Sequence, residues 1–181
     1  MTAQPARRTL PVMDAEDLYQ RRIAARFDAF DQDGNGYISR EDFTTAASRL
    51  LEAFGTPFRS DKGQALSGGA EAFWQGLAGI ADVDGDQRVT RGEFVNGAVK
   101  RLRDNPERFA EIARPFVRAV LAVAARDGDG RTEVAALERA LCVLGVDSHT
   151  AALAAESLDV DRSGCVDEEE AVTAFARYCM A

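Results

Sequence analysis

Asp31, Asp33, Asn35, Tyr37 and Asp42 occupy positions 1, 3, 5, 7 and 12 of the stretch DQDGNGYISRED. The frame offers side-chain oxygens at alternate residues, a bend glycine (Gly36) at position 6 and the Tyr37 backbone carbonyl at 7. Ser39 at position 9 can hold a water, and the Asp42 carboxylate closes the stretch. That order of groups wraps a backbone around a hard cation of calcium's size, which takes six to eight oxygens at about 2.3–2.6 Å.

The frame recurs, and repetition makes it specific. Asp82, Asp84, Asp86, the Arg88 carbonyl, Thr90 and Glu93 repeat it. So do Asp159, Asp161, Ser163, the Cys165 carbonyl, Asp167 and Glu170. Between them lies a damaged copy, Ala125 to Ala136. In chain order these are loops I to IV.

Each copy departs from the ideal in its own way. Asp42 is one methylene shorter than the usual closing glutamate, so closure requires its helix to move inward. Fewer oxygens from that carboxylate would let loop I accept octahedral Mg²⁺ beside Ca²⁺. Loop II has Gln87 at the bend, where a left-handed backbone costs a non-glycine residue about 1–2 kcal/mol and so roughly tenfold in affinity. Loop III keeps Asp127, Asp129 and Gly130 but has Ala125 at position 1 and Ala136 at 12. Starting it at Asp127 instead restores Glu138 but puts Arg131 and Thr132 at positions 5 and 6 and spoils the apolar spacing upstream. Loop III is therefore expected to brace loop IV rather than bind metal, leaving three Ca²⁺ sites.

Helices must hold these loops. Asp14 can cap a helix through residue 30 that carries Ile23, Phe27 and Phe30 on one face. Ser39 opens a second with Phe43, Leu50, Leu51 and Phe54, stopped by Gly55 and Pro57. Residues 55–67 look like a long polar connection, with Ser67 opening a helix weakened by Gly76 and Gly79. Thr90 with Glu93, and Asp167 with Glu170, have capping-box form, so a single closing carboxylate serves helix and loop together. Asn105-Pro106 starts a further helix, bent at Pro115; another carries Leu137, Leu141 and Leu144 up to Gly145. Ser148–Leu158 and Glu168–Met180 complete the set. Position 8 residues should pair across loops, Ile38 with Val89 and Thr132 with Val166.

These motifs match the EF-hand family, and the whole-chain layout resembles the sarcoplasmic calcium-binding proteins and their calerythrin-like bacterial relatives. The resemblance implies an all-α fold of four helix–loop–helix hands in two pairs, packed as one compact globule, with one hand often inactive. It implies calcium buffering or transport, or sensing. The divisions expected are a tail over 1–13, a first pair over 14–104 and a second over 105–181. Asp104 alone separates the pairs, too short a hinge for two independent lobes.

Bulk properties exclude other classes. A net charge of −8 and pI near 4.8 argue against nucleic acid and anionic membranes. No apolar run is long enough to span a bilayer, and Met1 to Met13 lacks the apolar core of a secretory signal. Three cysteines without metal-ligand spacing fit reduced thiols in a cytoplasm. His149, the only histidine, suits a surface role, and Trp74 with the phenylalanines suits a core. One histidine, one tryptophan and three tyrosines leave little for a luciferin-consuming site, so no enzyme is expected. The expectation is a monomeric calcium buffer; the alternative is a sensor that exposes an apolar groove to a protein partner. The scarcity of methionine favours the buffer.

Overall fold

The computed structural model describes residues 24–99, 105–125 and 130–180. Helix α1, described over 24–30, enters loop I, and α2 (Arg40–Ala53) leaves it. Helix α3 (Asp61–Ala81) enters loop II, and α4 (Arg91–Glu93) leaves it, continuing as a π-helix over Phe94–Val99. Helices α5 (Pro106–Ala124) and α6 (Val134–Val143) flank loop III, while α7 (Ser148–Leu158) and α8 (Glu168–Met180) flank loop IV. The four-hand, mostly helical fold is the one its repeats predict.

Two short antiparallel bridges join the loops in pairs. Strand β1 (Tyr37–Ile38) pairs with β2 (Val89–Thr90), placing Ile38 opposite Val89. Strand β3 (Thr132–Glu133) pairs with β4 (Cys165–Val166), placing Thr132 opposite Val166. The second register sets the frame of loop III, because Thr132 falls at position 8 only if the loop starts at Ala125. All four bridge residues are fully buried, and the Thr132 hydroxyl meets that burial by donating to the Leu121 carbonyl at 3.1 Å.

Residues 55–67 do not form the expected long connection; α3 already begins at Asp61. Ser60 is the cap, its Oγ accepting from the Gly63 N–H at 3.1 Å and donating to the Pro57 carbonyl at 2.7 Å. Gly63 lies so close to the Pro57 and Phe58 carbonyls that any β-carbon would clash with them. Of the two glycines expected to weaken this helix, Gly76 is a contact residue, as is Gly69, whereas a Cβ at Gly79 would meet nothing within 4 Å. A Cβ at Gly69 would lie 2.8 Å from the Pro115 carbonyl oxygen, and one at Gly76 would strike Ile112. Helix α3 thus lies with its backbone against α5, and α5 runs unbroken through Pro115. Upstream, α2 closes in a Schellman turn: Gly55 at φ +62° donates to the Glu52 carbonyl and Thr56 to that of Leu51.

Both pairs share one aromatic core. Phe73 of α3 packs against Phe30 and Phe43 of the first hand, with ring centroids 5.8 and 5.2 Å away. It also meets Phe109 and Phe116 of α5 and Phe175 of α8, all within 6.0 Å. Trp74 is buried beside them, as its helical spacing implied. The molecule is therefore compact across the two pairs; Asp104, assigned as the hinge, lies outside the described residues.

The two neighbouring glycines of α3 give opposite expectations. Gly69→Ala should destabilise the protein by about 1–3 kcal/mol through overpacking against α5. Gly68→Ala, whose Cβ would meet nothing within 4 Å, should stabilise it by about 0.5–1 kcal/mol. Urea unfolding of both variants in chelator measures the difference.

Candidate metal-binding loops

The closing carboxylate organises each intact loop. Asp42 accepts from the Gln32 N–H at 2.8 Å with Oδ1, and from the Ser39 N–H and hydroxyl at 2.7 and 3.0 Å with Oδ2. Glu93 accepts from the Val83 N–H at 3.0 Å, and from the Thr90 N–H and hydroxyl at 2.9 and 2.7 Å. Glu170 accepts from the Val160 N–H at 3.2 Å and the Asp167 N–H at 3.0 Å. In every case one carboxylate ties loop position 2 to position 9. Asp42, although shorter, spans the same two amides and is the most buried of the three, at 2% exposure. The capping boxes expected at the second and fourth loops close reciprocally: the Glu93 N–H donates to Thr90 Oγ1, and that of Glu170 to Asp167 Oδ1.

The first carboxylate of each loop is oriented by amides from across the turn. Asp31 accepts from the N–H groups of Asn35 and Gly36, Asp82 from Gly85 and Gln87, and Asp159 from Ser163 and Gly164, all at 2.8–3.1 Å. At position 3, Asp33, Asp84 and Asp161 accept from the N–H of Asn35, Asp86 and Ser163 respectively. At position 5, Asn35 Oδ1 accepts from the Tyr37 N–H and Asp86 Oδ1 from that of Arg88. Ser163 Oγ donates to the Cys165 carbonyl at 3.0 Å. At position 7, Tyr37 and Arg88 lie side by side, the guanidinium 5.3 Å from the ring centroid.

These bonds gather charge. One oxygen each from Asp31, Asp33 and Asp42 lies within 4.8 Å of the others, and so do oxygens of Asp82, Asp84 and Asp86. Ligands on opposite sides of a calcium ion are separated by about that distance. Among the described residues, loop IV does not gather three carboxylates so closely. There Arg131 of loop III reaches Asp161 Oδ2 at 3.5 Å and Ser163 Oγ at 3.3 Å. Hydrogen bonds from Ser163, with a smaller contribution from Arg131, hold the Asp161 carboxyl below its ordinary range. Nearby, Arg114 bridges Glu168 and Glu169, tying the start of α8 to α5.

The described residues of the damaged loop match its relatives at the bend, without their end ligands. Gly130 adopts φ +79° at position 6, and Ala125 is buried. Asp127 and Asp129 lie outside the described residues. Gln87 is left-handed at φ +65°, as its place at the bend required. Sequence reasoning overlooked a second left-handed residue, position 4: Gly34, Gly85 and, in loop IV, Arg162 at φ +56°. The Asp-Gly pairs at 33–34 and 84–85 were the available signal. Nothing in the pattern pointed to Arg131. His149 is exposed at the start of α7.

Comparison with known proteins agrees with this geometry. Residues 20–99 match the family model for an EF-hand domain pair. The chain is 64% identical to a Streptomyces coelicolor calcium-binding protein whose structure addresses prokaryotic calcium-mediated regulation; the match covers 89% of this chain and 97% of that one, at a TM-score of 0.87. It is 28% identical to calerythrin of Saccharopolyspora erythraea over 87% of this chain and 89% of the other. Calcium-loaded apo-aequorin from Aequorea victoria, 18% identical with a TM-score of 0.69 over 90% and 91% of the two chains, shares the fold.

Two outcomes follow from the backbone and the caps. Replacing Gln87 or Arg162 by glycine should relieve a left-handed non-glycine residue and stabilise the calcium-free protein by up to about 1 kcal/mol each. Glu93 is held below its ordinary value of 4.5, first by the Thr90 N–H and then by the Thr90 hydroxyl and the Val83 N–H. Its stabilisation is complete above that value and is lost as pH falls through the lowered one. Acid unfolding followed by circular dichroism should therefore become less pH-dependent below about pH 4.5 in Glu93→Gln.

Proposed function

Because this chain belongs to the EF-hand calcium-binding proteins, we propose that it is a calcium buffer filling loops I, II and IV with three ions. The ligands proposed are Asp31, Asp33, Asn35, the Tyr37 carbonyl and Asp42 in loop I. In loop II they are Asp82, Asp84, Asp86, the Arg88 carbonyl and Glu93, and in loop IV Asp159, Asp161, Ser163, the Cys165 carbonyl and Glu170. Position 9 in each case can add a water. Asp42 makes loop I the one at which Mg²⁺ competes best. The hands divide as a pair over 14–104 and a pair over 105–181 behind a tail over 1–13, acting as a monomer. No helix of the described residues is long and apolar enough to cross a membrane, and the free thiols of Cys142 and Cys165 suit a reducing cytoplasm.

One observation favours buffering over sensing. A sensor opens a helix pair to expose an apolar groove. Here Phe73 is shared by Phe30, Phe43, Phe109, Phe116 and Phe175, so opening either pair would unpack the core of both. A sensor remains the second reading, supported by the link of the Streptomyces protein to calcium-mediated regulation. Its partner would then be a protein docking on a groove exposed by calcium. The reading is a binding protein, not an enzyme.

Calorimetric titration of the calcium-free protein should return three sites, and Glu170→Gln should lose one. Two sites in the parent would remove loop II; four would overturn the assignment of loop III. Binding of the dye ANS should change little on adding calcium. A large rise would replace the buffer with the sensor.

A further inference from the structure

We propose that Arg131, a residue of the damaged loop III, competes with calcium for the ligands of loop IV and so sets that loop's affinity. The inference rests on loop IV being a metal site. The β3–β4 bridge fixes where Arg131 stands: with Thr132 opposite Val166 and Glu133 opposite Cys165, the preceding residue comes alongside loop IV. Its guanidinium then reaches the position 3 carboxylate and the position 5 hydroxyl of its neighbour, Asp161 and Ser163, at 3.5 and 3.3 Å.

The other pair supplies an internal contrast. Arg88 occupies the same position 7 in loop II, yet its guanidinium stacks on the Tyr37 ring and leaves the loop I carboxylates alone. Loop I brings three carboxylates within 4.8 Å of one another, and loop IV does not. A calcium ion entering loop IV must take Asp161 from a positive charge, which loop I does not require. The displaced guanidinium has somewhere to go. Arg131 borders an open hollow of about 500 Å³ lined also by Asp167 and by Glu168 and Glu169, the latter two already held by Arg114.

The effect is bounded by exposure. The Arg131 and Asp161 side chains are 43% and 58% exposed, so solvent screens the pair and the expected influence is about two- to fivefold in affinity. It should also fade with salt, because the Debye length falls from about 30 Å at 0.01 M to about 3 Å at 1 M.

The amides that orient the first carboxylates provide a reporter in each loop: Gly36, Gln87 and Gly164 donate to Asp31, Asp82 and Asp159. Calcium titrations of the full chain followed by ¹H–¹⁵N NMR at these amides compare the parent with Arg131→Gln and Arg131→Lys. Arg131→Gln should lower the calcium needed to half-shift Gly164 about two- to fivefold at low salt, with little difference at about 1 M. Gly36 and Gln87 should be unmoved, and Arg131→Lys should lie between parent and Gln. No change at Gly164, a change that survives high salt, or an equal change in all three loops would overturn the proposal. A Gly164 amide that never responds to calcium in any variant overturns the metal assignment of loop IV, and this inference with it.

Discussion

The closing carboxylate is the constraint on which the rest of the structure depends. One side chain accepts from the amide of loop position 2 and from that of position 9, in Asp42, Glu93 and Glu170 alike. Position 9 is also the cap of the exiting helix, so the start of that helix and the curl of the loop form a single hydrogen-bonded unit. Bonds to a charged acceptor are stronger than neutral ones, and they point the carboxylate inward. Asp42 shows how far the device tolerates a shorter side chain. It spans the same amides and ends more deeply buried than its glutamate counterparts.

From the loops the constraint passes to the core. Each loop contributes one buried β-branched residue to a bridge, and the bridge sets how its two hands meet. This accounts for the bridge at the end of loop III. Its end ligands are gone, yet Thr132 still pairs with Val166 and still donates to Leu121. Beneath the bridges, Phe73 draws aromatic rings from hands of both pairs into one cluster, which makes the helices interdependent.

Much of this was legible in the residues. Loop frames, bridge partners and most helix ends depend on local spacing, and local spacing is what a sequence displays. Ser39, Asn105 and Gly145 mark boundaries through chemistry confined to a few neighbours. The glycines of α3 misled because glycine has two uses that look identical along a chain. It breaks a helix by flexibility, and it lets a helix approach another backbone. Only the partner distinguishes them, and for Gly69 the partner is the Pro115 carbonyl, far away in sequence. Position 4 of the loops went unnoticed because two of its occupants are ordinary turn glycines, while Arg162 conceals the same conformation. Arg131 is a tertiary contact between non-neighbouring segments, which no local pattern encodes.

The seam between α3 and α5 has a consequence for how such a chain can diverge. Where α3 meets the α5 backbone at Pro115, Gly69 cannot give way to a larger residue unless α5 recedes. The two pairs are thereby bound to drift as one inherited unit. The loops carry no such joint obligation: Ala125 and Ala136 have replaced both end ligands of loop III while its bend and bridge persist. Ligands can be lost one hand at a time, but the framework that presents them must change all together or not at all.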